Sequence, residues 1–328
     1  MRVGAPTDRV VSSRPLTLRV SVLDRCQYRC EYCRPGALAP FLTHDECLSV
    51  AQYERMAPCF AAIGVDKVRF TGGEPLLRPE LPEIVRVFRA SIPEGRLCVT
   101  TNGQLLDRAL ERLAEAGLTG ATVHVDSLRP DRYRELMGDG DVGLVLEGLF
   151  RAQRRLDEVK VNVVVQRGKN DDELEDFIVF SRRTGIQVRF IELMNTGSNV
   201  AYTTKTFFTG REIVERIRAR AGAVAIDRAR PTDPASLYRT DDGVIFGVIA
   251  SDTESFCSGC NRLRLTAGGD LRGCLYQACG VDLRGALGRS SPGELEALIE
   301  RAVAEKRSHH PQLIPLRRVR FSMAQTGG

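Results

Sequence analysis

The sequence predicts an α/β fold, a partial (β/α)6 barrel followed by a smaller C-terminal module. Three observations predict it: six short runs rich in β-branched residues, helical patterns between them, and chemistry-bearing residues placed just after the runs. Repeated strand–helix units imply a parallel sheet with right-handed crossovers. Barrel-like sheets keep their active sites at the edge where strands end, and an open doubly wound sheet shares that bias.

The strand candidates are residues 16–22, 67–70, 97–100, 121–125, 159–165 and 187–191. Helical spacing fills 105–116 and 171–184, the second opening on Asn170-Asp171 as a plausible cap. A loop with three cysteines follows the first strand, Thr71-Gly72-Gly73-Glu74-Pro75 the second, and Thr101-Asn102-Gly103 the third. After Met194 the pattern changes. Gly197, Gly210 and the stretch 228–234 punctuate a region with one clear helix, 212–220, and a short strand, 243–249. Residues 1–194 therefore read as the barrel with an N-terminal extension, and 195–328 as a second module ending in Gly327-Gly328.

A chain of 328 residues has ample length for a buried core. Its 47 basic and 42 acidic residues leave a formal charge of +5, a mild excess compatible with an anionic small substrate. Aromatic residues are 6% of the chain, with no Trp and no basic stripe interleaved with rings, so a nucleic-acid partner is not implied. No run approaches a membrane span, and the first fifteen residues lack a signal-peptide core. Six of the ten cysteines sit in two tight clusters, a usage that fits metal binding in a reducing cytosol and predicts a cytoplasmic protein. Cys47, Cys59, Cys98 and Cys279 are most simply structural.

Cys26, Cys30 and Cys33 have the spacing C-x3-C-x2-C. Three thiolates from one segment can hold three irons of a cubane cluster and leave the fourth open to a ligand. A zinc site that borrows a fourth ligand, or one buried helix face, are the competing readings. The second cluster, Cys257, Cys260 and Cys274, again supplies three soft ligands. Zinc is a serious alternative there, because Cys279 is near enough in sequence to close a tetrahedron. Between these cysteines, Arg262 and Arg264 alternate with Leu263 and Leu265, which puts both guanidinium groups on one strand face beside the metal. Arg19, Arg69 and Lys160 interrupt apolar runs on three other strands and hint at one basic interior. Gly72-Gly73 allow close approach to the backbone, and Glu74 offers a carboxylate to an ammonium group.

The first motif, with Tyr32 before its last cysteine and Gly72-Gly73-Glu74-Pro75 downstream, resembles the radical S-adenosylmethionine superfamily. Within it, residues 18–26, 69–77, 100–103, 160–166, 189–192 and 256–265 and the terminal Gly327-Gly328 resemble the GTP 3',8-cyclases of molybdenum cofactor biosynthesis. That resemblance implies two 4Fe-4S clusters, on Cys26, Cys30 and Cys33 and on Cys257, Cys260 and Cys274. It implies S-adenosylmethionine held by Tyr32, Gly73, Glu74, His124 and Met194. It assigns GTP to Arg19, Arg69, Thr100, Lys160, Arg262 and Arg264, with Arg262, Arg264, Gly327 and Gly328 as catalytic residues. In the implied reaction a 5'-deoxyadenosyl radical takes the ribose C3' hydrogen and C3' attacks guanine C8. The implied partners are GTP, the cyclic pyranopterin monophosphate synthase that acts on the product, and an electron donor such as a flavodoxin or ferredoxin, with room for a homodimer. The chain departs from the family where Ser-Leu-Asp is usual and His124-Val125-Asp126 stands instead. Another two-cluster radical enzyme, or a non-enzymatic iron-sulfur or zinc protein, is the alternative.

Overall fold

The computed structural model describes residues 15–33, 40–195, 201–228, 232–254, 256–277 and 279–308. All six expected strands form: β1 (Leu16–Ser21), β2 (Val65–Thr71), β3 (Arg96–Thr101), β4 (Gly120–His124), β5 (Glu158–Val165) and β6 (Gln187–Glu192). They pair in sequence order and in parallel. Between them run α1 (Val50–Ala62), α2 (Leu81–Ser91), α3 (Leu106–Glu115), α4 (Pro130–Met137), α5 (Val142–Arg155) and α6 (Leu174–Thr184). Helix starts follow side-chain caps where the sequence offers them. Ser49 and Gln52 close a capping box on α1, and Asp141 accepts from the first-turn amides of α5.

Each strand turns every second side chain outward to the helices. Leu18, Val20, Val68, Phe70, Val99, Val123, Val161, Val163, Val188 and Phe190 are all buried in one apolar core. Phe70 meets Phe88 of α2 edge to face at 5.6 Å, and Phe190 meets Phe177 of α6 at 6.2 Å. Cys47, Cys59 and Cys98 are buried, in line with a structural role.

The residues after Met194 extend the same sheet at both of its edges. Following α7 (Gly210–Ala221), the strands β7 (Val224–Ile226), β8 (Ser236–Arg239) and β9 (Ile245–Ile249) form one flank, with β9 parallel to β6. The chain then crosses to the opposite edge. There β10 (Arg262–Leu265) lies parallel to β1, followed by β11 (Asp270–Arg272), β12 (Val281–Asp282), α8 (Leu283–Leu287) and α9 (Pro292–Ser308). The sequence pattern anticipated α7 and β9. It did not reveal β7, β8, β11 and β12, because strands of two to four residues are too short to develop a period.

At the strand ends the loops are tied together through backbone groups and buried carboxylates. Gly73 and Glu74 donate their amides to the carbonyls of Leu23 and Arg25, both at 2.9 Å. A Cβ on Gly72 would stand 2.2 Å from the Leu23 carbonyl oxygen, and Gly72 also has φ +150°, where side chains are rarely tolerated. The backbone that comes close to these glycines is thus the segment leading into the first cysteine loop. Glu192 ties the end of β6 to the start of α7 and to the turn after β9, accepting from the amides of Gly210, Asp252 and Thr253. Gly73→Ala would put a Cβ 2.1 Å from the Arg25 carbonyl oxygen and is expected to cost about 2–3 kcal/mol in thermal or denaturant unfolding. Gly288→Ala, with open space around the added methyl and negative φ, is the neutral control.

Candidate active site

The side chains that the strands turn inward line one cavity of about 740 Å³. Thr17 and Arg19 come from β1, Lys67 and Arg69 from β2, Thr100 from β3, Thr122 and His124 from β4, Asn162 from β5, Arg189 from β6, and Arg262 and Arg264 from β10. The basic interior expected from Arg19 and Arg69 is real, and it is larger than expected. Arg69 donates to the hydroxyls of Thr100 and Thr122 at 3.0 and 2.9 Å, so Thr100 orients a cation. The Nε atoms of Arg19 and Arg189 are buried without a hydrogen-bond partner among the described residues. Burial first, then Arg264 and Arg69, hold the Arg19 guanidinium well below its ordinary pKa. Burial and Arg262 bring Arg264 to about 10. Lys67 falls to about 8 through burial and the charge of Arg69. Lys160 is not part of the cavity wall, and its ammonium is paired with Glu158 at 2.5 Å. Cations crowded together with little counter-charge make a receptor for a polyanion.

The first cysteine loop roofs this floor. Cys26, Cys30 and Cys33 all face the cavity. The Cys26 sulfur accepts from the Tyr28 amide at 3.4 Å and the Asn102 amide group at 3.7 Å. The Tyr32 hydroxyl donates to Asp126, whose other oxygen accepts from the Val164 amide at 2.8 Å, so the loop is pinned to the ends of β4 and β5. Burial lifts the Asp126 carboxyl to about 6. Glu74 is buried, with oxygens accepting from Leu76, Thr101 and Asn102, and burial lifts it to about 7. Its carboxylate therefore braces the ends of β2 and β3 against each other. Gly73 and Met194 reach the cavity wall, as does His124. Burial, then Arg19 and Arg69, drop the His124 pKa to about 4 and keep it neutral at physiological pH.

The second triplet faces the same cavity. The Cys260 sulfur accepts from Arg262 Nε at 3.4 Å, and the same guanidinium lies 4.6 Å from the Phe256 ring centre. Burial pushes the Cys260 thiol up, but Arg262 and Lys306 outweigh it and bring it to about 6. Cys279 is exposed and lines a surface hollow with Arg289 and Arg301, not the cavity wall that carries the triplet. Gly327 and Gly328 lie outside the described residues.

Both triplets suit cubane clusters by their chemistry. Their thiols are free of disulfides. Burial and the neighbouring Cys33, Asp126 and Cys26 push the Cys30 thiol up, a repulsion that bound iron would relieve. Among the described residues no three His, Cys, Asp or Glu groups are placed to hold a single ion. A cubane takes one thiolate per iron, so its ligands need not converge on one point.

Sequence reasoning missed Lys67, Arg189, Asp126 and Glu192. Lys67 and Arg189 keep the same two-residue alternation as Arg69 and could have been found by extending it. Asp126 and Glu192 matter through backbone amides supplied by distant segments, which no local pattern encodes.

Residues 20–180 match the Radical SAM superfamily, and residues 186–312 match Molybdenum Cofactor Synthesis C. The chain is 39% identical over 317 residues to a GTP 3',8-cyclase of Pelotomaculum thermopropionicum, spanning 95% of this chain and 97% of that one. It is 40% identical over 284 residues to a GTP 3',8-cyclase of Aquifex aeolicus, spanning 85% and 88%. Its fold is similar to the crystal structure of Streptococcus suis SuiB bound to S-adenosylmethionine, with a TM-score of 0.64, 14% identity, and coverage of 94% of this chain and 72% of that one.

Two expectations arise from the floor. Arg19→Met removes a buried, repelled cation, so the nucleotide-free protein should gain about 1–2 kcal/mol in thermal unfolding while losing at least about tenfold in triphosphate affinity by calorimetry. A lower melting temperature would count against the repulsion. His124 has a folded pKa of about 4 against 6.5 when free, so unfolding takes up its proton between those values and stability falls as pH drops through that window. His124→Asn should reduce the protons taken up on unfolding at pH near 5 by about one, read from the slope of stability against pH.

Proposed function

The chain belongs to the GTP 3',8-cyclase family of radical S-adenosylmethionine enzymes, and from that premise we propose that it converts GTP to (8S)-3',8-cyclo-7,8-dihydroguanosine 5'-triphosphate in molybdenum cofactor biosynthesis. The observation that carries this reading is one cavity with two cysteine triplets on its wall and a floor of crowded cations. Cys26, Cys30 and Cys33 would hold a 4Fe-4S cluster that, given one electron from an external donor and bound S-adenosylmethionine, would supply the 5'-deoxyadenosyl radical for the ribose C3' hydrogen.

The chain's own residues bind, orient and screen. Arg19, Arg69, Lys67, Arg189 and Arg264 receive the triphosphate, whose charge offsets their mutual repulsion. Arg262 and Arg264 would orient the purine beside the second triplet, whose thiolates would hold a second 4Fe-4S cluster. Tyr32, through Asp126, fixes the first cysteine loop. Gly73, Met194 and neutral His124 contact S-adenosylmethionine, and Glu74 holds the backbone that does so. His124 lines the cavity, and its buried Nδ1 has no partner among the described residues.

The finer fold reading, an incomplete barrel, has support of the same kind. Strands from β10 through β1 to β9 all send residues to one cavity, whereas eight strands laid flat span about 34 Å, so the sheet must curl. Residues 195–328 then serve as the unit that carries the second cluster. The product passes to the cyclic pyranopterin monophosphate synthase, a flavodoxin or ferredoxin supplies electrons, and the enzyme works in the cytoplasm, with a homodimer compatible with this arrangement.

Anaerobic reconstitution tests the reading. About eight irons per chain are expected, together with 5'-deoxyadenosine and a cyclised product from GTP and not from ATP. Cys274→Ser should lower iron to about four per chain and abolish the cyclised product while reductive cleavage of S-adenosylmethionine continues. About four irons plus zinc in the parent protein, or no 5'-deoxyadenosine, would overturn it.

A further inference from the structure

The second triplet draws its sulfurs from two segments. Cys257 and Cys260 precede β10, and Cys274 follows β11, the antiparallel partner of β10. A side chain from a third element bridges the two segments. Lys306 of α9 donates from Nζ to the Cys260 sulfur at 3.4 Å and to the Gly273 carbonyl oxygen at 2.7 Å. Gly273 immediately precedes Cys274, and a Cβ there would stand 2.8 Å from Lys306 Cβ, so the helix is pressed against this residue.

The helix holds Lys306 in register. Leu295, Ile299, Ala302 and Val303 are buried along one face of α9, and position 306 continues that stripe at i+4 from Ala302 and i+7 from Ile299. A lysine on an apolar stripe needs an anionic or carbonyl partner for its ammonium group, and here it has both. Donors and positive charge at a ligand sulfur draw electron density from an iron-sulfur cluster and raise its reduction potential.

We propose that Lys306 is a positioning residue for the second cluster: it clamps the Cys260 and Cys274 segments together and raises the reduction potential of the cluster they hold. This rests on the iron-sulfur reading of that triplet.

The test uses the full chain with Cys26, Cys30 and Cys33 all replaced by Ser, so that the second cluster alone is observed. Its midpoint potential is read by spectroscopic redox titration and its iron release is timed with a chelator. Lys306→Met keeps the stem and removes the ammonium. It should shift the reduction equilibrium about tenfold toward the oxidised form, about 59 mV for one electron, and speed iron release several-fold. Lys306→Arg should restore both values most of the way. A Lys306→Met protein with the potential and release rate of its parent would overturn the proposal. A parent that binds zinc, or no iron, at the second triplet would instead overturn the iron-sulfur reading, before any Lys306 variant is compared.

Discussion

Each of the six strands β1 to β6 faces two unlike surroundings, and the rest of the molecule depends on that constraint. Parallel strands covered on both faces are ordinarily apolar throughout. Here the outward residues Leu18, Val68, Val123 and Val188 bury against helices, while Arg19, Arg69, His124 and Arg189 one position later face a polar cavity. A slip of one residue in β1, β2, β6 or β10 would drive a guanidinium into the helical layer and a leucine or valine into the cavity, so register is enforced from both sides. The cations are kept close together by the surrounding fold, because among themselves they repel. A polyanion bound among them would relieve that repulsion.

The rim solves the opposite problem. Loops that carry ligands need fixed backbones, yet loops leave amide groups unpaired. Buried carboxylates supply the missing acceptors: Asp126 for Val164, Glu74 for Leu76 and Asn102, Glu192 for Gly210 and the approach to the second cysteine loop. Each binds segments far apart in sequence, so the position of each cysteine loop is set by residues outside the cysteine triplets. Asn195, next to Met194, donates its amide to Asp252, whose own amide goes to Glu192, so the Met194 wall and the second cysteine loop share one set of bonds.

Much of this was legible in the chain. The six strands and their order, the cysteine spacings and the arginines interrupting apolar runs are local signals, and the structure assembles them around one cavity. Three things were not legible. The glycines after β2 line the cavity, and they also meet the backbone of Leu23 to Arg25, a contact made across some fifty positions of sequence. Lys160 has the right parity for the floor, and its pairing with Glu158 two residues away was not foreseen. Cys279 is close to the second triplet in sequence and faces a different hollow in space. For the glycines and for Cys279 distance along the chain and distance in the fold diverge, whereas Lys160 takes a near neighbour in both, and only packing decides which partner wins.

The placement of β1 has a consequence for how the protein is made. Its neighbours are β2, which comes within fifty residues, and β10, whose register sets Thr17 against Arg262 and Arg19 against Arg264. On a ribosome the outer edge of β1 waits roughly 12–50 s for that second neighbour to be synthesised. Through that interval it presents a row of unpaired amides and carbonyls, the surface on which one nascent chain can pair with another. The last third of the chain is therefore a seal as well as a ligand source, and a stalled or truncated chain becomes an aggregation hazard as well as an inactive enzyme.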